Sequence, residues 1–207
     1  MSTVAASGRQ RFNPIDRALR RLRARSVARH VTAGSRVVDV GCGLDNWLIR
    51  SMTGPGAGAR WRHDSLGIDP DLDEHALDEH GRRTDIVELA RREPGGFDAA
   101  TSLAVIEHLP PETVVDHLAS IRSVLRPGGV LVLTTPTPRS KPVLEFLAYR
   151  LRVISAHEIR DHRQYFHRTA LVGALTAAGF ERIVHTPFQL GLNQRVIAHR
   201  PESARSA

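Results

Sequence analysis

The chain has 207 residues, of which 41% are hydrophobic and 25% charged, with a formal net charge of +7. That length suits one globular domain, or one domain with an appendage; no apolar run approaches the roughly 18 residues a membrane span requires, and the basic N-terminus carries no apolar signal-peptide core. Cys42 is the only cysteine, which excludes an intramolecular disulfide framework and fits a reducing, cytoplasmic compartment.

Nearly all the positive charge is arginine, since Lys141 is the only lysine, and eight arginines fall between Arg9 and Arg29. Arginine favours bidentate contact with phosphate or carboxylate, so a nucleic-acid or anionic-lipid partner enters consideration. A coding bias that replaces lysine by arginine throughout the chain is the plainer reading.

In chain order, residues 13–31 read as a helix with Asn13 as N-cap, Pro14 in the first turn and a partial apolar stripe of Ile15, Leu19, Leu22 and Val27. Strand 1 is expected at 36–40 and a helix from about Asp45. A short strand follows at 65–69, then a helix over DLDEHALDEHG ended by Gly81, then a third strand in RTDIVEL. FDAATSLAV is the fourth strand, residues 111–125 a helix behind Pro110-Pro111, and VLVLTT a buried fifth strand. Residues 137–167 are a long, partly helical insertion. RTALVGALTAAGF is a helix stopped by Gly179, and ERIVHTPF and QRVIAHR form a strand pair joined through QLGLN.

The alternation implies an α/β fold, a doubly wound, mostly parallel sheet with helices on both faces. The expected organisation is a basic helical segment at 1–34, a domain at 35–200 with its insertion at 137–167, and a small polar tail at 201–207 that reads as disordered.

The chemistry begins at RVVDVGCGLDNWL, an apolar run ending in Gly41-Cys42-Gly43. A triphosphate loop needs Gly-Lys-Ser/Thr, which does not occur. A dinucleotide loop needs a third glycine where Asn46 stands, and a carboxylate at Asp45 would repel a pyrophosphate. S-adenosylmethionine carries no phosphate, and acidic groups near its ammonium are favourable. Asp69 in GIDPD, at the end of the second strand, suits the ribose hydroxyls, and Asp85 is the candidate acceptor for the adenine amino group.

The segments VVDVGCG, GIDPD, FDAATSLAVIEHLP, LRPGGVLVLTTP and ALTAAGF occur in an order and spacing that resemble the class I, seven-stranded, Rossmann-like S-adenosylmethionine-dependent methyltransferases. Within that family the chain resembles small-molecule enzymes of the ubiquinone/menaquinone-biosynthesis group. The resemblance implies a seven-stranded sheet, its last strand antiparallel, with cofactor at the carboxyl ends of the strands. It places Asp39, Gly41 and Gly43 in the methionine-side loop, Asp69 at the ribose, Asp85 at the adenine, and Ser102 and Leu103 along the cofactor. The family loop usually has glycine where Asp45 stands, so Asp45 either caps the next helix or approaches the ammonium.

A hydroxyl acceptor must lose a proton, so His108 in AVIEHLPPE is a candidate general base or orienting group; the alternative is that Glu107-His108 is structural. HEIRDHRQYFHR fails the His-Glu-x-x-His zinc pattern because position 161 is Asp, and no metal is expected. The resemblance instead puts His162 and Tyr165 beside the acceptor pocket, or as groups pinning the insertion. The apolar stretch 141–155 reads as a lid, a dimer contact or a surface touching a bilayer.

The leading expectation is methylation of a small organic acceptor, at a hydroxyl of a biosynthetic intermediate; a lipid-linked, quinol-type acceptor is the alternative. A DNA or RNA substrate is disfavoured, because Leu109 precedes Pro110-Pro111 where amino-group methylation needs Asn/Asp-Pro-Pro-aromatic, and no spare cysteine serves a covalent pyrimidine mechanism. A non-catalytic cofactor-binding domain is the remaining class.

Overall fold

The structure is a computed structural model; it describes Leu22, Ala24 and residues 27–54, 60–145 and 164–202. Seven strands form one sheet in the order β3-β2-β1-β4-β5-β7-β6. They are β1 (Val37–Val40), β2 (Leu66–Ile68), β3 (Gly81–Arg82), β4 (Phe97–Leu103), β5 (Leu125–Pro136), β6 (Glu181–Phe188) and β7 (Asn193–His199). The first five run parallel, with Asp39 opposite Thr101 and Ser102 opposite Leu133. β7 inserts antiparallel between β5 and β6, with Val132 opposite Ile197.

The central strands are apolar on both faces because helices cover both. On one face α2 (Ile86–Arg92), α3 (Val114–Val124) and α5 (Arg168–Ala177) pack on Val38, Ala100, Leu131, Leu133 and Val196. α3 lies between the other two and buries Val114, Leu118, Ile121 and Val124, a stripe at helical spacing. On the other face α1 (Trp47–Thr53) and the amino-terminal segment cover Val37, Ala99 and Val132, with Trp61 filling the layer. Burying each such aliphatic side chain contributes roughly 1.5–3 kcal/mol. α4 (Ser140–Glu145) follows β5.

Several elements depart from the expected reading, each for a physical reason. The amino-terminal stripe that faces the core is Ala24, Val27 and Val31, whereas Leu22 is 50% exposed; Asn13, Pro14, Ile15 and Leu19 lie outside the described residues. DLDEHALDEHG forms only a single 3-10 turn, Glu74–Ala76. It buries just Leu72 and Ala76, while Leu77 stays exposed, and one turn of apolar contact cannot offset the cost of a longer helix.

The third strand is not RTDIVEL. Gly81–Arg82 is the strand, and Ile86–Arg92 is a helix that Asp85 starts by accepting the Glu88 amide at 2.8 Å. β5 begins five residues earlier than expected, because RPGG is a bulge within the strand: Leu125 pairs with Phe97, and pairing resumes between Val130 and Ala99. Gly128 takes φ +75 there. Such a conformation is inexpensive only for glycine.

Candidate functional site

Near the carboxyl ends of the parallel strands the chain makes a tight, left-handed turn. Gly41 has φ +73 and Gly43 φ +72, and the Gly41 and Cys42 amides both donate to the Ile68 carbonyl, at 2.9 and 3.1 Å. A Cβ at Gly41 would lie 2.5 Å from Val105 Cγ2, so the loop after β4 packs directly on the turn. Asp69, just beyond β2, braces the same turn: its Oδ2 accepts the Gly43 amide at 3.0 Å and its Oδ1 the Asp71 amide at 2.9 Å. Each carboxylate oxygen keeps lone-pair capacity for a further donor.

Asp39 lies beneath the turn, 3% exposed, with Oδ1 accepting the Thr101 hydroxyl at 2.5 Å. Burial pushes its carboxyl up to about 7; the Thr101 bond lowers it and the Asp69 charge raises it further. Cys42 is held well above the ordinary thiol range by burial, then by Asp39 and Asp69. It therefore stays a thiol and is no nucleophile.

The place of the missing third glycine is now physical. Asn46 is fully buried in the left-handed conformation, φ 48, and its Nδ2 donates to the His80 carbonyl at 2.5 Å. Its carboxamide occupies the space that any side chain at Gly67 would fill. Bulk has moved from β2 into the loop, and the glycine that permits it stands twenty-one positions along, at 67. α1 starts at Trp47 with Asn46 in the cap position, so Asp45 does not cap the helix.

Ser102 and Thr134 are buried near the strand ends, and their hydroxyls have no hydrogen-bond partner among the described residues. Leu103 is half-buried beside them. Ala104, which follows, is held at φ +59, a conformation that costs a non-glycine residue about 1–2 kcal/mol. Strain beside hydroxyls left without a partner makes this edge a candidate for ligand binding. Asp85 stands three residues past β3 as the α2 cap. It faces His117 of α3, whose ring burial lowers to a pKa of about 4 against the opposing pull of the Asp85 charge.

On the acceptor side, His108 closes a 3-10 turn, Ile106–His108, and is half-buried. Glu107 is fully buried and accepts the Thr135 hydroxyl of β5 at 3.0 Å, which ties the turn to the sheet. The segment before α5 meets the turn: the Gln164 amide donates to the Glu107 carbonyl, and half-buried Tyr165 follows it. Phe166 is buried, and its carbonyl accepts from Gln194 of β7 at 2.7 Å. His162, His157 and Asp161 lie outside the described residues.

The structure thus gathers Asp39, Gly41, Gly43, Asp69 and Ser102 at one edge, with His108 and Tyr165 on two adjoining segments. A cavity of about 750 Å³ opens at the opposite, amino-terminal edge, lined among others by Arg29, Arg62, Asp98, Arg126 and His199. Two of its guanidiniums are already neutralised, Arg62 by Asp64 at 2.8 Å and Arg126 by Asp98 at 2.9 Å. Size alone does not make it the reactive site. The residues that sequence reasoning missed are Asn46, Ala104 and Gln164. Asn is the one of them whose tolerance of positive φ is a readable signal.

Comparison with known proteins agrees with this geometry. A family model described as a methyltransferase domain matches residues 8–186. The ubiquinone biosynthesis O-methyltransferase of Ralstonia nicotianae is 34% identical over 163 residues, covering 72% of this chain and 64% of the relative, so the chain spans less than two thirds of that protein's length. The enzyme of the same name from Methylococcus capsulatus is 30% identical over 212 residues, covering 88% of this chain and 84% of the relative. A crystal structure of a SAM-dependent methyltransferase from Archaeoglobus fulgidus superposes with a TM-score of 0.65 at 17% identity, over 89% of this chain and 94% of that one. The chain belongs to the class I S-adenosylmethionine-dependent methyltransferase family.

Proposed function

We propose that the protein transfers a methyl group from S-adenosylmethionine to a hydroxyl of a small organic acceptor. The observation that carries this reading is the acidic glycine turn: buried Asp39 beneath it and Asp69 on the Gly43 amide, at the carboxyl edge of parallel strands. Two carboxylates at that point oppose a pyrophosphate and suit an ammonium. A buried carboxyl held up to about 7 gains a cationic partner when such a group arrives, which is a test of fit that these residues pass.

S-adenosylmethionine supplies an electrophilic methyl on a sulfonium, so the protein's task is to orient the acceptor and exclude water. Asp39, Gly41 and Gly43 hold the methionine end, Asp69 the ribose, and Ser102 and Leu103 line the cofactor. Asp85 takes the adenine amino group through the oxygen its helix does not use. His108 orients the acceptor hydroxyl and takes its proton, with His162 and Tyr165 completing that wall. The protein acts in the cytoplasm, and no helix among the described residues is long and apolar enough to cross a membrane.

The curated relatives favour a second reading of the acceptor, a ring hydroxyl of a lipid-linked quinol precursor. Radiolabelled methyl transfer to a catechol, with and without a prenyl chain, separates the two. Transfer to the short catechol supports the small-acceptor reading, and transfer only to the prenylated one, with flotation on anionic liposomes, replaces it by the lipid-linked reading. Tight calorimetric binding of S-adenosylhomocysteine with no transfer to either probe or to metabolite extracts would sink both.

A further inference from the structure

We propose that Gln164 is a positioning residue that fixes the acceptor wall by gripping the carbonyls of the residues on both sides of His108. This rests on the reading that the turn bearing His108 borders the acceptor. The backbone amide of Gln164 donates to the Glu107 carbonyl at 3.3 Å, immediately before His108. Its side-chain Nε2 donates to the Leu109 carbonyl at 3.1 Å, immediately after, and reaches the Ile106 carbonyl at 3.4 Å. A 3-10 turn of three residues satisfies few of its own carbonyls, so an external donor decides how firmly it is set.

The far side of each partner is anchored. Glu107 ties the turn to Thr135 on β5 at 3.0 Å. Phe166 is buried in the core, and its carbonyl accepts from Gln194, which is itself buried and bonded to His185 at 2.8 Å. Gln164 therefore joins two segments that the sheet already holds, and His108 and Tyr165 sit on either side of the joint. Tyr165 follows Gln164 directly, so one residue ties both His108 and Tyr165 to one frame.

The test compares Gln164→Ala and Gln164→Glu, the second keeping the length but replacing the donor by an acceptor that faces carbonyl oxygens. Hydrogen exchange should quicken at the 106–109 amides, the His108 ring resonances in NMR spectra should shift, and KM for the catechol probe should rise ten-fold or more. The Kd for S-adenosylhomocysteine should stay within two-fold of wild type. Should the alanine variant fail to fold, the glutamate variant carries the measurement. Unmoved His108 ring resonances with unchanged exchange at 106–109 overturn the proposal. So does a loss of S-adenosylhomocysteine affinity equal to the loss of turnover, which would make Gln164 part of general stability. The NMR and exchange readouts decide the role of Gln164 even where the wild-type protein methylates neither probe, an outcome that counts against the functional reading instead.

Discussion

The two edges of the sheet are built on opposite principles. At the amino-terminal edge Arg36, Arg62, Asp98 and Arg126 are all paired with opposite charges. Arg36 lies 3.3 Å from Asp64 and 2.9 Å from Glu93, donates to the Gly96 carbonyl at 3.0 Å, and stacks 4.3 Å over the Phe97 ring. Asp98 accepts the Arg36 amide at 2.7 Å and pairs with Arg126. Burial alone would raise the carboxyls of Asp64 and Glu93, but hydrogen bonds from Arg62 to the first and from Arg82 and Arg36 to the second hold both below the ordinary range. At the carboxyl edge the buried carboxyl of Asp39 is pushed up, two hydroxyls have no partner among the described residues, and Ala104 is strained. One edge pairs its charges within the fold, and the other leaves polar groups unsatisfied among the described residues, as the proposed cofactor site requires.

The largest effect that would break this contrast lies at the stability edge. Arg36→Ala removes one of two arginine partners from each of Glu93 and Asp64, with Arg82 and Arg62 left in place, and opens the packing over Phe97; two solvent-screened pairs, a carbonyl contact and the stacked stem together cost about 2–4 kcal/mol. Chemical denaturation should register that loss, while calorimetry with S-adenosylhomocysteine should find affinity unchanged in the folded fraction. A matching loss of affinity would mean the two edges are not separable.

Next in size is Gly41→Ala at the ligand edge. The new Cβ meets Val105 at 2.5 Å and the residue must keep φ +73. A left-handed alanine costs about 1–2 kcal/mol, and displacing Val105 misaligns the turn. Affinity for S-adenosylhomocysteine should fall on the order of 10- to 100-fold, with a smaller change in Tm than Arg36→Ala produces. Equal affinity for the two proteins would show that the turn does not receive the cofactor.

How far these edges were legible in the sequence depended on distance along the chain. VVDVGCG announced the turn because an apolar run and two glycines are adjacent, and the parallel sheet followed from alternation, whereas its seven strands with an antiparallel last one were implied by the family resemblance. The RTDIVEL segment was misread because β-branched Ile86 and Val87 mimic a strand, although Asp85 three residues before Glu88 is a helix-start signature. The exchange of bulk between Asn46 and Gly67 joins two elements, and nothing local marks it. Gln164 reaches carbonyls 55 and 58 residues away, so its role follows from the fold and from no motif.

The smallest expected effect sharpens the contrast through pH. Asp39 is raised from 3.8 to about 7, so between those values the unfolded chain has released a proton that the folded chain keeps, and stability falls as pH rises. His117 is lowered from 6.5 to about 4, so in that range the unfolded chain holds a proton that the folded chain lacks, and stability rises with pH. Each slope is at most about 1.4 kcal/mol per pH unit, and between pH 4 and 6.5 they oppose each other. Relative to wild type, Asp39→Asn should therefore gain stability as pH rises through this range, and His117→Leu should lose it. The same Asp39 carboxyl must be ionised to meet an ammonium, so S-adenosylhomocysteine should bind about ten-fold more weakly one pH unit below 7 than well above it. Asp39→Asn should bind weakly with no such dependence, whereas a pH dependence that survives the substitution would assign the titration to another group and leave Asp39 as a buried strut.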